Sequence, residues 1–236
     1  NEDEAYNPFD TRLGDSSLVS VLSSINNTFY FNRLNPKFGA EYFYLSTSGK
    51  SLLTNGFESR KNLEQELRAR YNISRIYSVE ARVQQAERTV ASEFFDNRNY
   101  QIATEEIEPK FIYQPSVKFR VSLAAAFTEK ENTLQEGLGE RSTIQTLSTE
   151  IRFNEATKGA FSLNASYINI RFNAAENNPL AFEMLEGLTA GENVTWDIRW
   201  QRNLANNLQL NLNYGGRKSE GIDVIHTGGM QLRAFF

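Results

Sequence analysis

Apolar and polar residues alternate with a period of two along much of the chain, whereas the helical period of 3.6 is hardly present. Residues 194–201 have the sequence VTWDIRWQ, and residues 208–214 have the sequence LQLNLNY. Successive side chains of a β-strand point to opposite faces, so each such segment predicts a strand with one apolar and one polar face. The recurrence of this pattern predicts an all-β chain.

The alternating segments predict eleven strands, most of them longer than the ~5–6 residues that are usual in soluble proteins. They have instead the length that crosses a bilayer at a tilt, about 9–11 residues, with an extension. The predicted strands are 17–33, 37–47, 57–71, 74–88, 98–113, 116–129, 141–153, 158–173, 191–202, 206–217 and 222–236.

The connections between these segments alternate between short and long. Long connections are predicted at 48–56, 89–97, 130–140 and 174–190, and 218–221 is the shortest of this set. Outer-membrane barrels have short periplasmic turns and long external loops. The sequence therefore predicts an antiparallel, up-and-down transmembrane β-barrel over 17–236, preceded by an extracellular-side segment at 1–16.

The apolar face of many predicted strands ends in an aromatic residue beside a short turn, which is typical of an aromatic girdle at a membrane interface. The predicted periplasmic girdle consists of Phe31, Tyr71, Tyr113, Phe153, Phe161 and Trp200.

The opposite face carries charges of both signs, which predicts a wet lumen. The predicted lumen charge ladder consists of Glu64, Glu66, Arg68, Arg70, Glu80, Arg82, Lys118, Arg120, Asp197, Arg199 and Arg233. If Tyr71 pairs with Tyr77, then Arg68 faces Glu80 and Glu66 faces Arg82. The ladder is interpreted either as a polar conduit or plug-holding surface, or as simple lumen solvation with structural ion pairs.

Composition excludes several kinds of site. The 236 residues contain no Cys and one His, and the formal net charge is −4. Disulfides, thiol catalysis and multi-His zinc sites are excluded. The chain also lacks the excess of basic residues that is typical of nucleic-acid-binding proteins. We expect no cofactor, no metal and no enzymatic activity, although a pair of acidic catalytic residues remains an alternative.

Two further features have competing interpretations. His226 shares the face of Met230 on the last strand, and position 228 is Gly rather than a Ser that would complete a hydrolase pair. We interpret His226 as an interfacial residue near the outer side of the membrane. The connection 174–190 contains the apolar run 180–188, which is either a ligand or partner contact or an inward-folded, self-packed loop.

The C-terminal sequence QLRAFF resembles the terminal strand of bacterial outer-membrane β-barrels. The stretches FEMLEGL at 182–188, GGRKS at 215–219 and HTG at 226–228 are similar to the tail of large Bacteroidota outer-membrane proteins. This resemblance implies that Leu232, Ala234 and Phe236 are recognised by the barrel-assembly machinery. It implies no particular activity.

An odd number of strands favours the hypothesis that the chain is the C-terminal part of a larger barrel, because single-chain barrels normally have an even number. One miscounted strand is the alternative. The expected partners are outer-membrane lipid, lipopolysaccharide, the barrel-assembly machinery, and either the rest of the barrel or other outer-membrane subunits. The expected function is part of a transport or secretion channel, and the alternative is a barrel that scaffolds a membrane complex.

Overall fold

A computed structural model of the chain describes residues 20–53, 56–134, 139–175, 179–205 and 207–235. None of the helices within these ranges is long and apolar enough to cross a membrane. The predicted segment 1–16 lies outside the described residues, as does Phe236.

The described residues form eleven β-strands and one short α-helix, α1, at Pro179–Met184. The strands are β1 Ser20–Phe31, β2 Phe38–Leu53, β3 Gly56–Asn72, β4 Tyr77–Ser92, β5 Tyr100–Ser116, β6 Phe119–Asn132, β7 Arg141–Glu155, β8 Gly159–Phe172, β9 Gly191–Ala205, β10 Leu208–Ser219 and β11 Ile225–Ala234.

All eleven strands belong to one sheet in which each strand pairs with its neighbours in sequence, from β1 to β11. Every pairing is antiparallel. The predicted all-β, antiparallel, up-and-down architecture with eleven strands is confirmed. Within the described residues, β1 and β11 do not pair with each other, so each leaves one edge of backbone groups without a sheet partner.

The predicted long connection at 48–56 is wrong. β2 continues to Leu53 and β3 begins at Gly56, and residues 48–51 pair with residues 58–61. Residues 48–51 are Ser, Gly and Lys, so their sequence lacks an apolar face. They remain in the sheet because the backbone hydrogen bonds of the ladder do not require one.

Residues of one face are aligned across the strands by the register. The face that carries Phe119 and Leu123 is here called the outer face. One row on it runs through four aromatic residues of four successive strands, pairing Phe119 with Phe153, Phe153 with Phe161, and Phe161 with Trp200. Large apolar side chains on this face are exposed, including Leu123, Leu147 and Met230. The outer face is therefore apolar over the part nearer the short connections, and that part is not covered by any other part of the described chain.

The opposite face of the sheet, here called the inner face, is polar over most of its length and holds α1 at one end. Except for Glu87, the Arg and Glu residues of β3 and β4 lie on it, and so do the amides of β9 and β10. The residues that are most buried also lie here, beside α1, and include Ile144 and Ile170. The small apolar core thus occupies the face that is otherwise polar.

The tight connection between β7 and β8 depends on Gly159. Its φ is +132°, and a Cβ added here meets the carbonyl oxygen of Gln201 at 2.0 Å. The neighbouring atom belongs to the backbone of β9, so the contact cannot be relieved by a side-chain rotation.

We expect Gly159→Ala to destabilise the sheet by more than the ~1–3 kcal/mol of backbone strain alone, because β8 and β9 must also separate. Gly229→Ala in β11 is the matched control, because a Cβ there has no atom within 4 Å. Thermal unfolding of the folded, detergent-solubilised protein measures the difference. Equal melting temperatures for the two variants would contradict this account of the β7–β8 turn.

Candidate functional site on the inner face

The inner face carries a network of charged side chains centred on Arg82 of β4. Its guanidinium contacts the carboxylates of Glu106 and Glu108 of β5, the latter at 2.9 Å. A third carboxylate, that of Glu66 in β3, lies 3.6 Å away. These side chains are only partly exposed, so the charges are less screened than in surface pairs and fix one another's orientation.

The predicted pairing of Arg68 with Glu80 is wrong, because the register differs from the assumed one by two residues. Tyr71 pairs with Val79, so Arg68 faces Arg82. The Ser74 hydroxyl accepts hydrogen bonds from the amides of Ile76 and Tyr77, which closes the turn and leaves Tyr77 outside the β3–β4 ladder.

Carboxylates compensate the two facing arginines. Arg68 binds Glu66 at 2.7 Å and Glu41 at 3.0 Å. Glu80 lies in register between Arg70 and Lys110, and so faces one base on each neighbouring strand. The predicted contact between Glu66 and Arg82 is present, but it is diagonal, because Gln84 is the direct partner of Glu66.

The remaining members of the predicted ladder lie apart from this network. Asp197 and Arg199 pair with each other on β9 at 2.9 Å. Arg120 of β6 faces Arg152 of β7. Arg233 pairs in register with Gln209, at the short-connection end of β10 and β11.

Lys118 does not lie on a strand. It belongs to the two-residue connection 117–118 between β5 and β6, where its ammonium binds Glu155 at 2.9 Å. Because β6 begins only at Phe119, Lys118 remains in the turn and joins the β5–β6 connection to the end of β7.

The residues of the predicted aromatic girdle all lie on the outer face, at the strand ends beside the short connections. Phe31 is the last residue of β1, and Tyr71 is the last but one of β3. Tyr113 stacks on Tyr77 with their ring centroids 5.2 Å apart. Phe153, Phe161 and Trp200 belong to the aromatic row described above. The membrane-interface role of these side chains stays a prediction.

Of the predicted assembly signal, Leu232 and Ala234 lie on the outer face of β11, where they pair with Leu210 and Leu208. His226 lies on the same face, and its Nδ1 is 2.9 Å from the Tyr214 hydroxyl. Its ring also lies beside Trp196, with the centroids 5.9 Å apart. His226 thus belongs to an aromatic cluster on the apolar face.

The segment 179–190, here called the inner clip, folds onto the inner face. Ala181 and Met184 have no exposed surface, and Leu185 is 2% exposed. Ala181 and Leu185 pack against Ile144 and Ile170, and Met184 packs in a second cluster with Tyr100 and Ile102. Of the two interpretations of this connection, the structure has the inward-folded one.

Two ion pairs join the inner clip to the sheet. Arg88 of β4 donates to both carboxylate oxygens of Glu183, at 2.8 and 2.6 Å. Lys130 of β6 binds Glu186 at 2.7 Å. Where the clip meets β9, the fully buried Asn193 side chain donates to the carbonyl oxygens of Thr189 and Gly191. Sequence reasoning missed the two ion pairs because they join residues that are distant in the chain.

The end of α1 explains how the clip turns back toward β9. Glu186 and Gly187 both have positive φ, of 57° and 73°, and the Gly187 amide donates to the carbonyl oxygen of Phe182 at 3.0 Å. A left-handed glycine after a helix is a common way to end it. Gly187 is therefore the sequence signal that could have located this turn.

The comparisons with known proteins are distant. No family model matches the chain, and no curated protein matches it. NanC porin is similar with a TM-score of 0.39 and 8% identity, over 92% of this chain and 100% of that chain. The β domain of the Bordetella autotransporter Brka is similar with a TM-score of 0.40 and 11% identity, over 92% of this chain and 91% of that chain. Likenesses this distant carry no argument about function.

We expect Leu185→Asp to release the inner clip, because it places a carboxylate in an apolar cluster where it has no partner. A protease that cleaves after glutamate should then cut at Glu183 and Glu186 at least about tenfold faster, because local opening becomes easier. Phe182→Asp is the matched control, since that side chain is 68% exposed. Mass spectrometry measures the rate of cleavage. Equal cleavage rates for the two variants would contradict the packing of Leu185 described above.

Proposed function

We propose that the chain is an integral outer-membrane β-barrel protein whose strands form part of the wall of a transport or secretion channel. The observation that supports this most directly is that the outer face of the sheet is apolar while the inner face is polar. Its outer face exposes large apolar side chains, among them Leu123, Phe127 and Leu147. Its inner face carries the charged network around Arg82. An outer-membrane barrel has this arrangement, because its outer face contacts lipid and its inner face contacts water.

The dimensions of the apolar face agree with a membrane. On β6 it extends over the nine residues from Phe119 to Phe127, and polar residues Glu129 and Glu131 follow on the same face. A strand that crosses a bilayer at a tilt needs about 9–11 residues. The strands continue beyond this band on the side of the longer connections, which is where external loops lie in outer-membrane barrels.

The two unpaired edges of the sheet are evidence that further strands join it. A lipid environment offers no hydrogen bonds to an exposed strand edge, so both edges need further strands. β1 and β11 run in the same direction, since neighbouring strands alternate, and pairing them would make a parallel joint. We propose that an odd number of further strands, from another part of the protein or from another outer-membrane subunit, completes an antiparallel barrel.

The proposed partners follow from the placement of the sheet in an outer membrane. Lipid and lipopolysaccharide contact the outer face, and the barrel-assembly machinery recognises the end of β11. We propose no enzymatic activity, because the charged side chains of the network around Arg82 are engaged with one another. The open edges also favour a second function, in which the sheet scaffolds a membrane complex without transport.

Leu123→Arg tests the membrane placement, because it puts a charge near the middle of the apolar band. We expect a cost of about 2–4 kcal/mol for folding into a bilayer. Ser148→Arg is the matched control, since Ser148 pairs in register with Ala124 on the inner face. Folding equilibria in lipid vesicles measure both variants. Equal costs would contradict a lipid-facing outer surface.

Conductance tests the channel. The protein with all of its partner strands, reconstituted into planar bilayers, should give discrete openings, because the polar inner face lines a water-filled path. Protein that is shown to be folded and inserted but gives no openings would contradict the channel and favour the scaffold.

A further inference from the structure

A chamber lies between the inner clip and the inner face of the sheet. Its volume is about 450 Å³, within the ~300–1,000 Å³ range of small-molecule sites. Strands β3 to β6 form its floor, and the clip forms its roof through Phe182, Glu183 and Glu186.

The floor is made of three registered rows. Glu64, Ala86, Thr104 and Lys130 form the middle row, with Gln84, Glu106 and Thr128 on one side of it and Asn62, Arg88 and Ile102 on the other. Ala86 is the smallest of these residues, and its position near the middle of the floor leaves room above the sheet.

Most of the charges around the chamber are already paired, and the exception is Glu64, whose carboxylate has no ion-pair partner within the described residues and is engaged there only by the Gln84 amide. Arg88 holds Glu183, and Lys130 holds Glu186. Glu106 contacts Arg82 and accepts a hydrogen bond from the Thr128 hydroxyl at 2.9 Å. An anionic ligand has to displace one of the paired carboxylates and is repelled by Glu64, and a ligand with several positive charges meets Arg88 and Lys130 beside that single unpaired carboxylate, whereas a neutral ligand avoids both costs. Within the described residues no group of carboxylates is placed to hold a metal ion.

Hydrogen-bonding groups nevertheless face the chamber. The side chains of Asn62 and Thr104 make no hydrogen bond within the described residues, and Glu64 is engaged there only through the Gln84 amide at 3.0 Å. Phe182 adds an apolar ring that is 68% exposed. The lining is otherwise mostly polar, with Ala86 and Ile102 as its other apolar side chains, so it suits a ligand rich in hydrogen-bonding groups better than an apolar one.

We propose that this chamber binds an uncharged, polyhydroxylated solute such as a neutral oligosaccharide. The Phe182 ring packs against the C–H face of a sugar ring, while Asn62, Thr104 and Glu64 bind its hydroxyl groups. Hydroxyls both donate and accept, so they match the mixture of amide, hydroxyl and carboxylate present. The proposal extends the proposed channel function by naming a solute class, but the binding itself does not require conduction.

Equilibrium binding to the folded protein in detergent tests the proposal, with cellotriose and maltotriose as neutral probes. Trigalacturonate and the glucosamine trimer are the anionic and cationic counterparts. We expect saturable binding of at least one neutral probe, and binding at least tenfold weaker for the charged ones. Phe182→Ala and Thr104→Val should each weaken binding at least fivefold.

Phe94→Ala is the control, because Phe94 is also exposed but lies in the β4–β5 connection, outside the chamber. Protection of Glu183 and Glu186 from proteolysis shows whether a variant keeps the clip in place. Absence of saturable binding by both neutral probes overturns the proposal, as does stronger binding of a charged trimer. Because binding is measured without a membrane, its failure leaves the conductance result unaffected.

Discussion

The ladder of antiparallel backbone hydrogen bonds is the interaction on which the rest of the structure depends. It joins eleven strands in sequence order and fixes which residues share a face. A slip of one residue moves every side chain of a strand to the opposite face. The alignment of Phe119, Phe153 and Phe161, and the meeting of Arg82 with Glu106, both follow from this register.

Much of the fold follows from the sequence because the period-two pattern is local. The alternation in 194–201 places Trp196 and Trp200 on one face and Asp197 and Arg199 on the other, as the structure does. The strand ends were less predictable. Residues 48–51 lack an apolar face, and only pairing with β3 shows that they belong to β2.

The inner face could be predicted only in part. The sequence indicated which charged residues share it, but their partners depend on turn geometry, and the Ser74 turn places Arg68 opposite Arg82. The inner clip depends on contacts between residues far apart in the chain, such as Arg88 with Glu183. No local pattern contains that information. The clip is also the part of the structure that gives the inner face a chamber of its own.

The proposed membrane placement requires that the outer face of the sheet contacts lipid while the inner face contacts water. The chain contains no Cys, so single-cysteine spin labels are introduced without background. Six consecutive positions of β8, 162–167, should be measured in bilayers for accessibility to oxygen and to a water-soluble nickel reagent. The account predicts high oxygen accessibility at 163, 165 and 167 and high nickel accessibility at 162, 164 and 166. Uniform accessibility, or the opposite alternation, would contradict it.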